Sequence, residues 1–232
     1  GAVNNPIAEG EGGPIDDIAT GTGTDVSATT TISQNTTWTL ANSPYRLFFD
    51  LSNRPTVASG AVLTIEPGVK IIPQSSGATI MEIKGTLQAV ATSGAPIIFT
   101  SVSDADGLAS TTPQKGDWLN IVFSANPQNN AQSNLDYVEF RYGGGQNITA
   151  PFYEMVDVAG AAVNINNSKF ENSKYTALHL KDSSGIVQNS VFSDNNCGIS
   201  VDSSNGVANV AYGNCHGIHT TGLILSSTNL QI

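Results

Sequence analysis

An all-β solenoid, built from one coil of short strands per repeat, is the fold class this sequence predicts, and three observations predict it. Residues 160–220 repeat themselves about every twenty residues. Phe170, Phe192 and Tyr212 fall 22 and 20 residues apart, and two residues after each stands Asn172, Asp194 or Asn214. A second short apolar run follows each time, at residues 177–180, 198–201 and 217–220. A period near twenty with alternating short runs and no helical spacing marks stacked coils.

The physical logic is direct. A strand of four residues cannot bury a face alone, but equivalent strands stacked at about 4.8 Å per coil bury a continuous apolar column. Leu178, Ile199 and Ile218 form one expected column, Ile165 and Val187 another, and the aromatics a third beside them. The Asn and Asp positions fall where the chain must bend, because their side chains bond local backbone and tolerate left-handed conformation.

Taken in order, residues 1–26 form a Gly- and Pro-rich arm without periodicity, with Val3, Ile7, Ile15, Ile18 and Val26 as its apolar anchors. Such a segment orders only when something holds it. Residues 27–58 concentrate Tyr45, Phe48 and Phe49 and read as an N-terminal cap and first coil, since an open solenoid end exposes unpaired backbone. Residues 59–232 read as the solenoid proper. Glu66-Pro67-Gly68-Val69 supplies a turn between two strands. Residues 101–117 and 143–152 break the pattern as insertions, and long turns of a solenoid gather on one flank.

The runs Leu63-Thr64-Ile65-Glu66-Pro67-Gly68-Val69, Lys84-Gly85-Thr86-Leu87-Gln88-Ala89 and Ala95-Pro96-Ile97-Ile98-Phe99-Thr100-Ser101, with the repeats of residues 160–220, resemble the coils of the right-handed parallel β-helix superfamily, the pectate-lyase-like solenoids of bacterial secreted proteins. The resemblance spans roughly residues 60–225. It implies a single-stranded right-handed parallel β-helix of about seven coils. It does not imply one function, because that fold hosts lyases, hydrolases, adhesins and structural proteins.

Composition narrows the classes. Only 12% of the 232 residues are charged, and Gly, Ser, Thr and Asn take their place, as suits a secreted or cell-surface solenoid. A net charge of −10 argues against nucleic acid and anionic membrane surfaces as partners. No run of 18 apolar residues is present to span a membrane, and no signal-peptide pattern opens the chain. The two cysteines, Cys197 and Cys215, precede Gly-led strands of successive repeats, so a disulfide and a pair of stacked buried thiols both fit. Neither they nor His216 and His219 have a familiar zinc spacing.

The candidate chemistry is sparse. Lyases of the resembled superfamily neutralise a uronate carboxylate with calcium or basic residues and abstract a proton with Lys or Arg. Asp136, Glu139 and Arg141, placed on one outer strand, are the nearest constellation of that kind; a solvated strand face explains them equally. The aspartate pair, Gly-His-Gly and Arg-x-Lys signatures of polygalacturonase-like hydrolases are not matched. Asp104 and Asp106 resemble the start of a calcium loop, but Lys115 occupies the position that should close it with an acid. Trp118, Tyr142 and Tyr153 cluster at the insertions and would stack on sugars if exposed, or fill the core if buried. His179 and His219 read as surface histidines. The sequence thus points to a non-enzymatic extracellular structural or adhesive protein without cofactor. Its expected partner is another copy of itself, head to tail, through Val3, Ile7, Ile15 and Ile18 of the arm and Leu223, Leu225, Leu230 and Ile232 of the last coil. A carbohydrate-active protein, lyase or sugar-binding module, with polysaccharide or surface glycans as partners, is the alternative.

Overall fold

Every coil contributes three short strands in a fixed order, and equivalent strands of successive coils pair in parallel to make three sheets. The computed structural model describes residues 23–74, 78–105, 112–124, 132–146, 154–202, 212–213 and 223–225. Sheet A comprises Thr24–Val26, Tyr45–Leu47, Lys70–Pro73, Ile97–Phe99, Val138–Arg141, Lys169–Glu171 and Val191–Ser193. Sheet B runs from Thr31–Ile32 through Thr56–Val57, Met81–Ile83, Ile121–Ser124, Val156–Ala159 and Thr176–Lys181 to Cys197–Asp202. Sheet C holds Thr36–Trp38, Val62–Ile65, Thr86–Val90, Ser133–Asp136, Val163–Asn166, Gly185–Gln188 and Leu223–Leu225. The chain visits A, B and C in turn, which makes the architecture a single-stranded, right-handed parallel β-helix with seven coils among the described residues.

Register explains the core. Met81, Ile121, Val156, Leu178 and Ile199 oppose one another down sheet B, and Leu135, Ile165 and Val187 down sheet C. All eight are essentially buried. The aromatic column is longer than the repeats suggest: Phe99, Phe140, Phe170 and Phe192 stack with centroids 4.9, 5.2 and 4.7 Å apart. Tyr212 is not part of sheet A. Tyr212–Gly213 instead pairs antiparallel with Cys197 and Ile199 at the edge of sheet B. Ile218 lies outside the described residues.

The corners follow from turn chemistry. Asn172 and Asp194 leave sheet A with φ of 59° and 54°, as expected of bending positions, and Tyr142 occupies the equivalent corner at 64°. The tighter corner from sheet C to sheet A turns on one left-handed residue per coil: Tyr137, Asn167 and Asn189. Beside it runs a hydroxyl ladder. Val138 donates its amide to Ser168 Oγ at 3.1 Å, and Ser168 donates its amide to Ser190 Oγ at 3.2 Å; both serines are fully buried.

Parallel pairing begins before the boundary expected at residue 59. Thr24–Val26 already pairs with Tyr45–Leu47, so residues 27–58 complete the first coil and carry the chain into the second rather than forming a separate cap. Residues 1–22 lie outside the described residues. The coil length is also less even than the repeats suggest. Sheet A strands start 21 or 22 residues apart at the two ends but 41 apart from Ile97 to Val138. That excess includes the first insertion, and both expected insertions join sheet A to sheet B in neighbouring coils. They share one corner, where Gly116 donates its amide to the Tyr142 carbonyl and Gly145 donates to that of Trp118.

Candidate functional site

Three outer faces carry polar groups in register, and the candidate residues distribute among them. On sheet A, Glu139, Lys169 and Val191 form one row, and Arg141, Glu171 and Ser193 the next. Arg141 donates to Glu139 through Nη2 and lies 3.4 Å from Asp104 through Nη1, with Glu171 3.8 Å from Nε. Lys169 Nζ sits 2.9 Å from the other oxygen of Glu139. Burial alone would raise the Glu139 carboxyl pKa, but hydrogen bonds from Lys169 and Arg141 outweigh it and hold the group below its ordinary range. Burial likewise works to lower the Arg141 guanidinium, and the Glu139 hydrogen bond with the charges of Glu139, Asp104 and Glu171 raises it overall. An arginine so held keeps its proton more firmly than a free guanidinium does.

Asp136 does not join this group. It ends a strand of sheet C, and the left-handed Tyr137 turns the chain through the corner before Glu139 begins on sheet A. The expectation of one outer strand carrying all three residues therefore fails. Asp136 accepts a 2.9 Å hydrogen bond from Asn167 Nδ2 and borders a shallow cavity of about 300 Å³. Its lining combines the sheet C amides Asn134, Asn164, Asn166 and Gln188 with the apolar Val90, Leu135, Ile165 and Ile186. The amides bond one another along the solenoid axis: Asn164 donates to Asn134 at 3.1 Å, and Asn134 to Gln88 at 3.0 Å.

Asp104 sits in a helical turn, Val102–Ala105, where Thr100 donates to it at 2.6 Å and Arg141 approaches it. A guanidinium beside the same carboxylate competes with a cation at Asp104; Asp106 lies outside the described residues. Trp118 is fully buried and donates its indole N–H to the Arg141 carbonyl at 2.8 Å, so it fills the core and presents no face to a sugar. Tyr142 is half-buried, and burial followed by the Asp104 charge pushes its hydroxyl pKa up. Tyr153 lies outside the described residues.

Sheet B holds a cluster that the reading of the sequence missed. Asp157 and His179 are register partners on adjacent coils and both point outward, because Val156, Val158, Leu178 and Leu180 point in. His179 Nδ1 lies 2.9 Å from Asp157 Oδ1 and 3.9 Å from Glu154 Oε1. His179 is thus a half-buried, carboxylate-bound residue rather than an open surface histidine. The signal was present: Asp157 precedes His179 by 22 residues, the step that separates Phe170 from Phe192. His219 lies outside the described residues.

Cys197 is buried at the start of its strand and opposes Gly213 in the antiparallel pair. Cys215 lies outside the described residues, two positions beyond Gly213. Of the assembly candidates, Leu223 and Leu225 belong to the strand that pairs in parallel with Gly185–Gln188, while Val3, Ile7, Ile15, Ile18, Leu230 and Ile232 lie outside the described residues.

The model of a family described as a pectate-lyase-like β-helix domain matches residues 30–167, more than half of the chain. No curated protein and no solved structure matches it.

Proposed function

The chain belongs to the pectate-lyase-like β-helix family, and from that premise we propose that it is a non-catalytic extracellular solenoid with a structural or adhesive role, assembling with copies of itself. The observation that carries this reading is the pairing of Arg141. The basic group nearest to a lyase arrangement is bound by Glu139, flanked by Asp104 and Glu171, and separated by a corner from Asp136. A lyase base must give up its proton near the working pH, and this one is driven the other way.

Self-assembly is supported by the two ends of sheet C. Among the described residues Thr36–Trp38 and Leu223–Leu225 are its terminal strands, each hydrogen-bonded to a described neighbour on one side. Terminal strands are templates for strand addition, and complementary unlike ends generate rings or filaments. Among the described residues no helix is long and apolar enough to cross a membrane. Light scattering and electron microscopy on the whole chain and on a variant lacking residues 1–26 test the reading. Concentration-dependent assembly lost in the truncated chain is the expected result. A monomeric whole chain overturns self-assembly, and ultraviolet-absorbing unsaturated products from pectate or alginate overturn the non-catalytic assignment.

The sheet C cavity favours a second reading, a sugar-binding module. Neutral amides beside Val90 and Ile186 offer paired donors and acceptors next to apolar surface, the chemistry that holds a pyranose ring. Retardation in gels containing polysaccharide, abolished by Asn164→Ala, distinguishes it.

A further inference from the structure

We infer that Glu154, Asp157 and His179 form a binding site for one divalent transition-metal cation of the zinc type on the outer face of sheet B. The three offer one ligand atom each, all within 4.8 Å of one another. The same imidazole nitrogen, Nδ1, faces both carboxylates, at 2.9 and 3.9 Å. A tetrahedral ion with bonds of about 2.0–2.2 Å separates its ligand atoms by roughly 3.3–3.6 Å. The two observed separations bracket that value, so small side-chain rotations close the site around an ion.

The backbone positions all three ligands. Asp157 and His179 stand on paired strands, and Met155, next to Glu154, donates its amide to the Thr176 carbonyl of the same neighbouring strand at 2.8 Å. Burial is intermediate: the side chains of Glu154, Asp157 and His179 are 29%, 22% and 13% exposed. That is enough to sharpen attraction for a cation while leaving the outward side open to a water ligand. Two carboxylates share one imidazole, and the register neighbours of the pair are the neutral Val122 and Ser200. An imidazole nitrogen with two carboxylates selects zinc-like ions over calcium or magnesium, which prefer all-oxygen shells.

The test is titration calorimetry of the chelator-treated whole chain with ZnCl2 alone, repeated with His179→Ala, Asp157→Asn and Glu154→Gln, each checked by circular dichroism. The site predicts one zinc per chain at this position, with affinity falling at least about tenfold when a ligand is removed. It also predicts that cobalt(II) bound there gives the visible bands of a low-coordinate site, and that excess calcium does not displace either metal. Zinc uptake that is absent, that survives His179→Ala undiminished, or that calcium abolishes overturns the inference. Should His179→Ala fail to fold, the near-isosteric Asp157→Asn and Glu154→Gln decide it by the same readings.

Discussion

The indole Nε1 of Trp118 donates to the carbonyl of Arg141 at 2.8 Å, tying the end of one insertion to the strand that precedes the other. The same ring explains Gly143. A Cβ on Gly143 would fall 2.6 Å from Met155 Cγ and 2.7 Å from Trp118 Cζ2, closer than packing allows. Gly143→Ala should therefore cost about 1–3 kcal/mol by overpacking. Trp118→Phe should cost a similar ~1–3 kcal/mol, because a buried carbonyl loses its donor. Combined, the two should cost less than their sum by at least about 0.5 kcal/mol, since Phe vacates the space that Ala needs. Urea denaturation midpoints measure all three; additive effects would show that the two residues do not share this contact.

Acid should destabilise the solenoid through Glu139. Its carboxyl lies below the ordinary value of 4.5 in the folded chain, held there by Lys169 and Arg141 against the effect of burial. The unfolded chain therefore takes up that proton first as pH falls, so this contribution is complete above about 4.5 and is lost on acidification toward the lower folded-state pKa. Glu139→Gln should flatten the fall in stability between pH 5 and the acid midpoint, read by thermal melts across that range. An unchanged slope would mean that Glu139 titrates as an unfolded glutamate does.

The stacked phenylalanines should respond unequally to truncation. Phe170 is fully buried between Phe140 and Phe192, at 5.2 and 4.7 Å. Phe170→Ala should cost ~3–5 kcal/mol from lost burial and the cavity left behind. Phe170→Leu should cost less, because it keeps most of the volume and forfeits chiefly the ring contacts, worth about 0.5–1.5 kcal/mol each. Equal losses for the two variants, measured by denaturant titration, would argue against the stack.

Thiol titration in denaturant without reductant should find no reactive cysteine. Cys197 is disulfide-bonded in the folded chain, and the sequence holds one other cysteine, Cys215. Reduction should lower stability by roughly 3 kcal/mol, the loop-closure value for a loop of this size. Two reactive thiols per chain would refute the bond.

The sequence alone carried the architecture, because a solenoid core is a one-dimensional object. A repeat of 22 residues places Phe170 on Phe192 and Ile165 on Val187 through nearest-neighbour stacking, without any distant contact. Asn172 and Asp194 were legible as corners because their side chains tolerate the left-handed backbone that a corner demands. The candidate site was not legible in the same way. Residues three and five apart in sequence, Asp136 against Glu139 and Arg141, lie on different faces because Tyr137 adopts φ of 52°, a conformation that a tyrosine does not advertise. Nor did residue type show that Arg141 would be bound by Asp104, which reaches it from the insertion of the preceding coil. The meeting of Asp157 with His179 depended on the register of two coils joined across an edge of the recognisable repeats. Stacking of like on like is local and repeats itself down the chain; the convergence of unlike, charged groups happens once, and only the folded coils decide where.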